Sequence, residues 1–167
     1  MDRALTRGFA PNLLEKLFDD HPKSPVDGQA LRRLNIEELK ESVAIDVEAL
    51  LNSRRGHTEE RLEAYAQSKN SILSFGINDF VGLSLSNPAD CHRICRSIEQ
   101  AIQRHDKRLH SVRVTLEADR YSTNTLRFSI HAMLVVHPAR EAVSFDALLQ
   151  PTTQQYSVVR SRRLGVA

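Results

Sequence analysis

The densest concentration of chemically capable side chains is Arg104-His105-Asp106-Lys107-Arg108-Leu109-His110, where five groups able to carry positive charge surround a single acid. At a solvated turn this run would form local pairs of Asp106 with Lys107 or Arg108, each worth about 0 to 1 kcal/mol. Built into a tight junction, the same residues would form a docking element. Other reactive groups are dispersed. Cys91 and Cys95 stand four residues apart, but seven scattered histidines and the lack of any Cys-x-x-Cys or His-x-x-x-His pair give no zinc spacing. There is no Gly-x-Ser-x-Gly elbow to activate a nucleophile, and six glycines form no phosphate-cradling group ahead of a helix. Carboxylate pairs such as Glu41 with Asp46, or Glu99 with Asp106, can be nominated for acid and base work, yet any chain with 21 acids offers such pairs. The residue types therefore point to binding rather than catalysis, with no cofactor and no metal.

The elements that would position these residues must come from a chain of 167 residues, long enough to bury one core without a disulfide or metal staple. Hydrophobic residues make up 41% and charged residues 26%, which excludes wholesale disorder. A net charge of +2, from 23 basic and 21 acidic residues spread along the chain, gives no reason to expect nucleic acid. The basic groups Arg54-Arg55 and Arg160, Arg162 and Arg163 read as solvated surface. Arg3 and Arg7 interrupt the first ten residues, so no secretory signal is expected. The longest apolar run, Ala132 to Val136, falls far short of the roughly 20 residues a membrane helix needs. A cytoplasmic protein without membrane insertion is expected.

Helical spacing of Leu13, Leu14, Leu17 and Phe18 predicts a short amphipathic helix within Pro11 to Asp20, followed by a linker from Lys23 to Gln29. Leu39, Val43, Val47, Leu50 and Leu51 predict a long helix from Asn35 to about Asn52, and Glu59 to Gln67 a further short one. Ser71 to Leu85 reads as an irregular, partly buried connection. Asn87 as cap and Pro88 as first residue open a third strong helix, whose stripe is Cys91, Ile94, Cys95, Ile98, Ala101 and Ile102, with both thiols in the core. Beyond Leu109 the period falls to two. Val112, Val114, Leu116 and Ala118, then Leu126 to Val136, predict an antiparallel hairpin joined by Asp119 to Thr125. A shorter strand is expected at Val143 to Leu149, and Gln155 to Arg160 is a candidate fourth at the edge. Helices first and strands last predict an α+β fold, with N-terminal and central helices packed on a mainly antiparallel C-terminal sheet of three to four strands. A single domain is expected over 1–167, with helix and linker in 1–34, core in 35–160 and a tail in 161–167.

Several segments resemble, in order, the contractile-tail baseplate wedge family that includes TssE of type VI secretion and a phage tail protein long labelled a lysozyme. They are Leu13 to Phe18, Glu41 to Arg55 ending Leu-Leu-Asn-Ser-Arg-Arg, and Ser74 to Phe80. At the family's Glu-Pro-Arg-Leu motif this chain reads Asp106-Lys107-Arg108-Leu109. The acid is one methylene shorter and the fixed backbone angle of proline is lost, whereas arginine and leucine are retained. The resemblance implies a non-enzymatic baseplate subunit at the cytoplasmic side of the bacterial inner membrane. Its implied partners are the wedge subunits TssF and TssG and the sheath subunits TssB and TssC, with TssK a further candidate. Asp106, Lys107, Arg108 and Leu109 would carry wedge docking. The edge residues Tyr156, Val158 and Val159 would face the sheath, where a sheet edge accepts a neighbour's strand. Two rivals belong to the same kinship: an anti-adaptor that binds a response-regulator adaptor, and a lysozyme-like enzyme.

Overall fold

The computed structural model describes residues 8–17, 23, 33–57, 61–62, 64–65, 67–80, 82–83, 87–117 and 125–161. Most of the expected linker, four of the nine residues of the short helix expected in 59–67, the hairpin connection up to 124 and all of the tail beyond Ser161 lie outside the described residues. The chain divides into two compact units, Met1–Val43 and Ala44–Ala167.

In the first unit, Phe9 and Leu34 exchange backbone hydrogen bonds of 2.8 Å in each direction as an antiparallel bridge. Helix α1 (Leu13–Leu17) opens on a reciprocal cap: Asn12 Oδ1 accepts from the Glu15 N–H, and Glu15 Oε2 accepts from the Asn12 N–H, both at 2.7 Å. The next long helix, α2 (Ile36–Asn52), begins on the same device. Asn35 Oδ1 accepts from the N–H groups of Glu37 and Glu38 while Glu38 Oε2 accepts from the Asn35 N–H. Leu39, Val43, Val47, Leu50 and Leu51 are all buried, as their spacing predicts.

The second unit holds the remainder of α2, helix α3 (Pro88–His105) and four strands: β1 (Leu109–Glu117), β2 (Leu126–Val136), β3 (Ala139–Gln150) and β4 (Gln155–Arg160). The strands form one antiparallel sheet in the order β1-β2-β3-β4, so β1 and β4 are its edges. This is the expected α+β architecture. Asn87 Oδ1 caps α3 by accepting from the Ala89 N–H at 3.0 Å, with Pro88 as first residue. Ile94, Cys95, Ile98, Ala101 and Ile102 are buried. Cys91 is only half-buried, because it lies in the first turn where the stripe reaches the helix end.

Strand β3 corrects the expected Val143–Leu149 segment: it begins four residues earlier, at Ala139. Val136 pairs directly with Ala139 across His137 and Pro138, so Arg140 and Glu141 belong to the ladder. One face of the sheet is apolar, with Phe128, Ile130, Phe145 and Ala147 fully buried. Near the start of β1 the pairing register shifts between His110 and Arg113, and Ser111 takes a positive φ of 51°. This irregularity lets Leu109 and Val112, three apart, both face inward before the usual alternation resumes.

Between α2 and α3 the chain makes two 3-10 turns, Ser68–Asn70 and Ile72–Ser74, and then a parallel bridge between Arg54 and Ile77. Gly76 is required there. Its φ is 102°, and an added Cβ would lie 2.5 Å from the Ser53 carbonyl oxygen.

Candidate functional site

The cationic run falls at the corner between α3 and β1, and its charges are ordered into a clamp. The Asp106 N–H closes the helix on the Ile102 carbonyl at 2.8 Å. Asp106 Oδ1 accepts from both the backbone N–H and Nε of Arg108 at 2.9 Å, and Oδ2 accepts from Nη2 at 2.7 Å. The first contact is the side-chain-to-backbone turn that short acids favour; the other two form the parallel fork that only a guanidinium provides. Arg108 Nη2 also reaches Asp46 Oδ2 of α2 at 2.6 Å, and the Arg108 carbonyl accepts from the Val135 N–H at 2.8 Å. One residue thus ties together α2, the end of α3 and the hairpin. Burial alone would lower the Arg108 pKa, but the hydrogen bonds and charge of Asp106, then those of Asp46, outweigh it and hold the guanidinium above its ordinary range.

Inside this clamp the four motif residues separate by exposure. Asp106 and Leu109 are buried, Arg108 is half-buried and Lys107 is exposed. Next to them, His105 Nε2 donates to the Ser74 carbonyl at 2.9 Å, which requires the proton to sit on Nε2, and Phe75 meets the imidazole edge-on at 5.2 Å. Burial pushes the His105 pKa below its ordinary value, while the Ser74 carbonyl pulls in the opposite direction. The turn bearing Ser74 also presents Ile72 and Leu73 to solvent.

The second candidate region, β4, is an edge strand whose outward backbone groups are engaged. Asn52 forms a two-way contact with Tyr156: its Oδ1 accepts from the Tyr156 N–H and its Nδ2 donates to the Tyr156 carbonyl, both at 2.8 Å. Four residues earlier on α2, Glu48 Oε2 accepts from the Val158 N–H at 2.7 Å. The opposite edge is treated alike. Gln103 donates to the Val112 carbonyl at 3.4 Å, and Glu99 accepts from the Val114 N–H at 2.9 Å. Four helical residues rise about 6 Å and two strand residues about 6.6 Å, so side chains spaced by four can keep step with alternate strand residues. Both edges are thereby protected against indiscriminate pairing. Tyr156 and Val158 also turn their side chains inward, at 3% and 7% exposure, whereas Val159 is 48% exposed.

Sequence reading brought together Asp106 and Arg108 but missed Asp46 as their partner, and it missed Glu48, Asn52, Glu99 and Gln103 as edge caps. A signal exists in retrospect. Glu99 and Gln103, like Glu48 and Asn52, stand four residues apart beside an apolar stripe. Among the described residues no group of three or more His, Cys, Asp or Glu could hold a metal, and no described helix is long and apolar enough to cross a membrane.

The described structure is thus an α+β domain whose α3–β1 corner holds Arg108 between two carboxylates and whose sheet edges meet helix side chains. The family model described as Baseplate wedge protein gp25 matches residues 37–139, from the first turn of α2 to the start of β3. That is more than half of the chain, and the chain belongs to this family of structural, non-catalytic baseplate wedge proteins. No curated protein matches it.

Proposed function

We propose that the chain is a TssE-type subunit of a type VI secretion baseplate at the cytoplasmic side of the inner membrane. It docks on the TssF and TssG wedge and helps to seed the sheath of TssB and TssC. The family match over residues 37–139 carries this reading, and it ends at the β2–β3 hairpin, so it includes the whole clamped corner.

The clamp refines which motif residues would do what. Asp106, Arg108 and Leu109 hold the turn from within; Lys107, at its apex, is free to meet a partner side chain. An anchored turn loses little conformational entropy on association, which favours a defined docking geometry. On the sheath-facing side, Val159 is the exposed member of the candidate edge. A strand arriving at Tyr156 and Val158 would have to displace Asn52 and Glu48, which makes strand addition conditional on movement of α2.

Hydrogen exchange of the full chain, alone and after addition of purified wedge and sheath subunits, tests the proposal. Slower exchange at residues 106–110 with wedge subunits, and at residues 155–160 with sheath subunits, is the expected result. Unchanged exchange in both places under saturating partner would overturn it.

A further inference from the structure

Within the second unit, α2 is tied down by polar side chains on two different flanks. Asp46 faces the corner, where its Oδ2 accepts from Arg108 Nη2 at 2.6 Å. Glu48 and Asn52 face β4: Glu48 accepts from the Val158 N–H at 2.7 Å, and Asn52 bonds the N–H and the carbonyl of Tyr156 at 2.8 Å. At about 100° per helical residue, Asp46 and Glu48 lie about 160° apart around the axis, and the buried Val47, Leu50 and Leu51 occupy the arc between them. Residues 46–52 are therefore pinned to the corner on one side and to the sheet edge on the other, with apolar packing beneath.

These contacts respond differently to a small roll of the helix. Apolar packing is non-directional, whereas hydrogen bonds require a set distance and angle. With side chains reaching about 5 to 6 Å from the axis, a roll of about 10° carries a flank by about 1 Å, which takes a 2.7 Å contact out of hydrogen-bonding range. The polar contacts thus set the roll. The corner offers a fixed anchor, because Arg108 is itself held by the Asp106 fork and by its carbonyl, which accepts from the Val135 N–H. The anchoring contact is also within reach of solvent: the Asp46 side chain is 36% exposed and that of Arg108 28%, so this pair can open without unfolding the chain.

We infer that α2 is a latch on the β4 edge whose setting is held at the corner: while Arg108 keeps Asp46, Glu48 and Asn52 cover the backbone groups of Val158 and Tyr156, and loss of the Arg108–Asp46 contact uncovers them. The covered groups are those a strand added at β4 would need. Corner and edge are energetically linked across one helix, and by reciprocity an edge held open weakens the Arg108–Asp46 contact. The coupling is a property of the chain alone; only its use in strand addition rests on the function proposed above.

Amide exchange of the full chain without partners, followed by NMR, tests the latch. Asp46→Ala should speed exchange at Tyr156 and Val158 about fivefold, the low end of such couplings, and leave Val114, which Glu99 covers from α3, within about twofold of its rate in the unaltered chain. In a chain whose caps are already removed by Glu48→Ala with Asn52→Ala, adding Asp46→Ala should bring no further acceleration at these two amides. Unchanged rates at Tyr156 and Val158 after Asp46→Ala would overturn the inference, as would equal acceleration at Val114 or the same acceleration in the uncapped chain. With no wedge or sheath subunit present, none of these results depends on the docking reading.

Discussion

Arg108 Nη2 stands 2.6 Å from Asp46 Oδ2 and 2.7 Å from Asp106 Oδ2, so one nitrogen is shared between an acid two residues away and one 62 residues away. The local acid shapes the turn; the distant acid fastens that turn to α2. Because Asp106 has a side-chain exposure of 10% and Asp46 one of 36%, the two contacts differ in strength. Water screens the Asp46 pair and leaves the Asp106 pair largely intact.

Arg108→Ala should therefore act first on stability. It leaves the Asp106 carboxylate buried without its cation, a change that typically destabilises by about 3 kcal/mol. Asp46→Asn, at the wetter end, should cost under about 1 kcal/mol. Urea unfolding of the two variants checks the order, and equal midpoints would show that the clamp is not asymmetric.

Asn52→Ala should uncover both the N–H and the carbonyl of Tyr156. Loss of the pair is expected to cost about 1 to 3 kcal/mol and to speed exchange of the Tyr156 amide selectively. Glu48→Gln, which keeps an acceptor oxygen for the Val158 N–H, should be milder than Glu48→Ala. Amide-resolved exchange distinguishes this capping from a general loosening of β4.

The His105 pKa is lowered in the folded state, so protonation favours the unfolded chain. Its contribution to stability should be fully present above the ordinary value of 6.5 and should be lost as pH falls through the lower folded value. Histidine NMR titration should place its midpoint below 6.5, and His105→Gln should flatten the stability profile on the acid side of that value. A midpoint above 6.5 would contradict the burial of this imidazole.

Tyr156 gives the opposite edge of the pH range. Its phenol is pushed up to about 12 by burial, so the folded chain resists ionisation that the unfolded chain undergoes near 10. Its contribution is present below 10 and declines as pH rises toward about 12. Ultraviolet titration should show one of the three tyrosines ionising later than the others in the native protein, and Tyr156→Phe should remove that late step.

Much of this architecture was legible because periodicity reports burial directly. The stripe from Ile94 to Ile102 and the alternation from Leu126 to Val136 each carry one period over a long segment. The Ser111 irregularity left no comparable mark, because a shifted register depends on the partner strand. β3 was read too short, since a two-residue turn can place charged residues such as Arg140 and Glu141 inside a ladder. At the corner, the local pair of Asp106 and Arg108 was visible in sequence, whereas its third member required α2 to be folded against it. The edge caps were hidden for a similar reason: Glu48, Asn52, Glu99 and Gln103 look like ordinary helix-surface residues until a strand lies beside them.

Affinity of the full chain for purified wedge subunits, with Lys107→Glu set beside the unaltered protein, tests the docking account most directly. Lys107 is exposed and takes no part in the clamp, so the variant should unfold at the same urea concentration as the unaltered chain. A dissociation constant raised about tenfold or more is the predicted result. The same constant for both proteins would contradict docking through this corner.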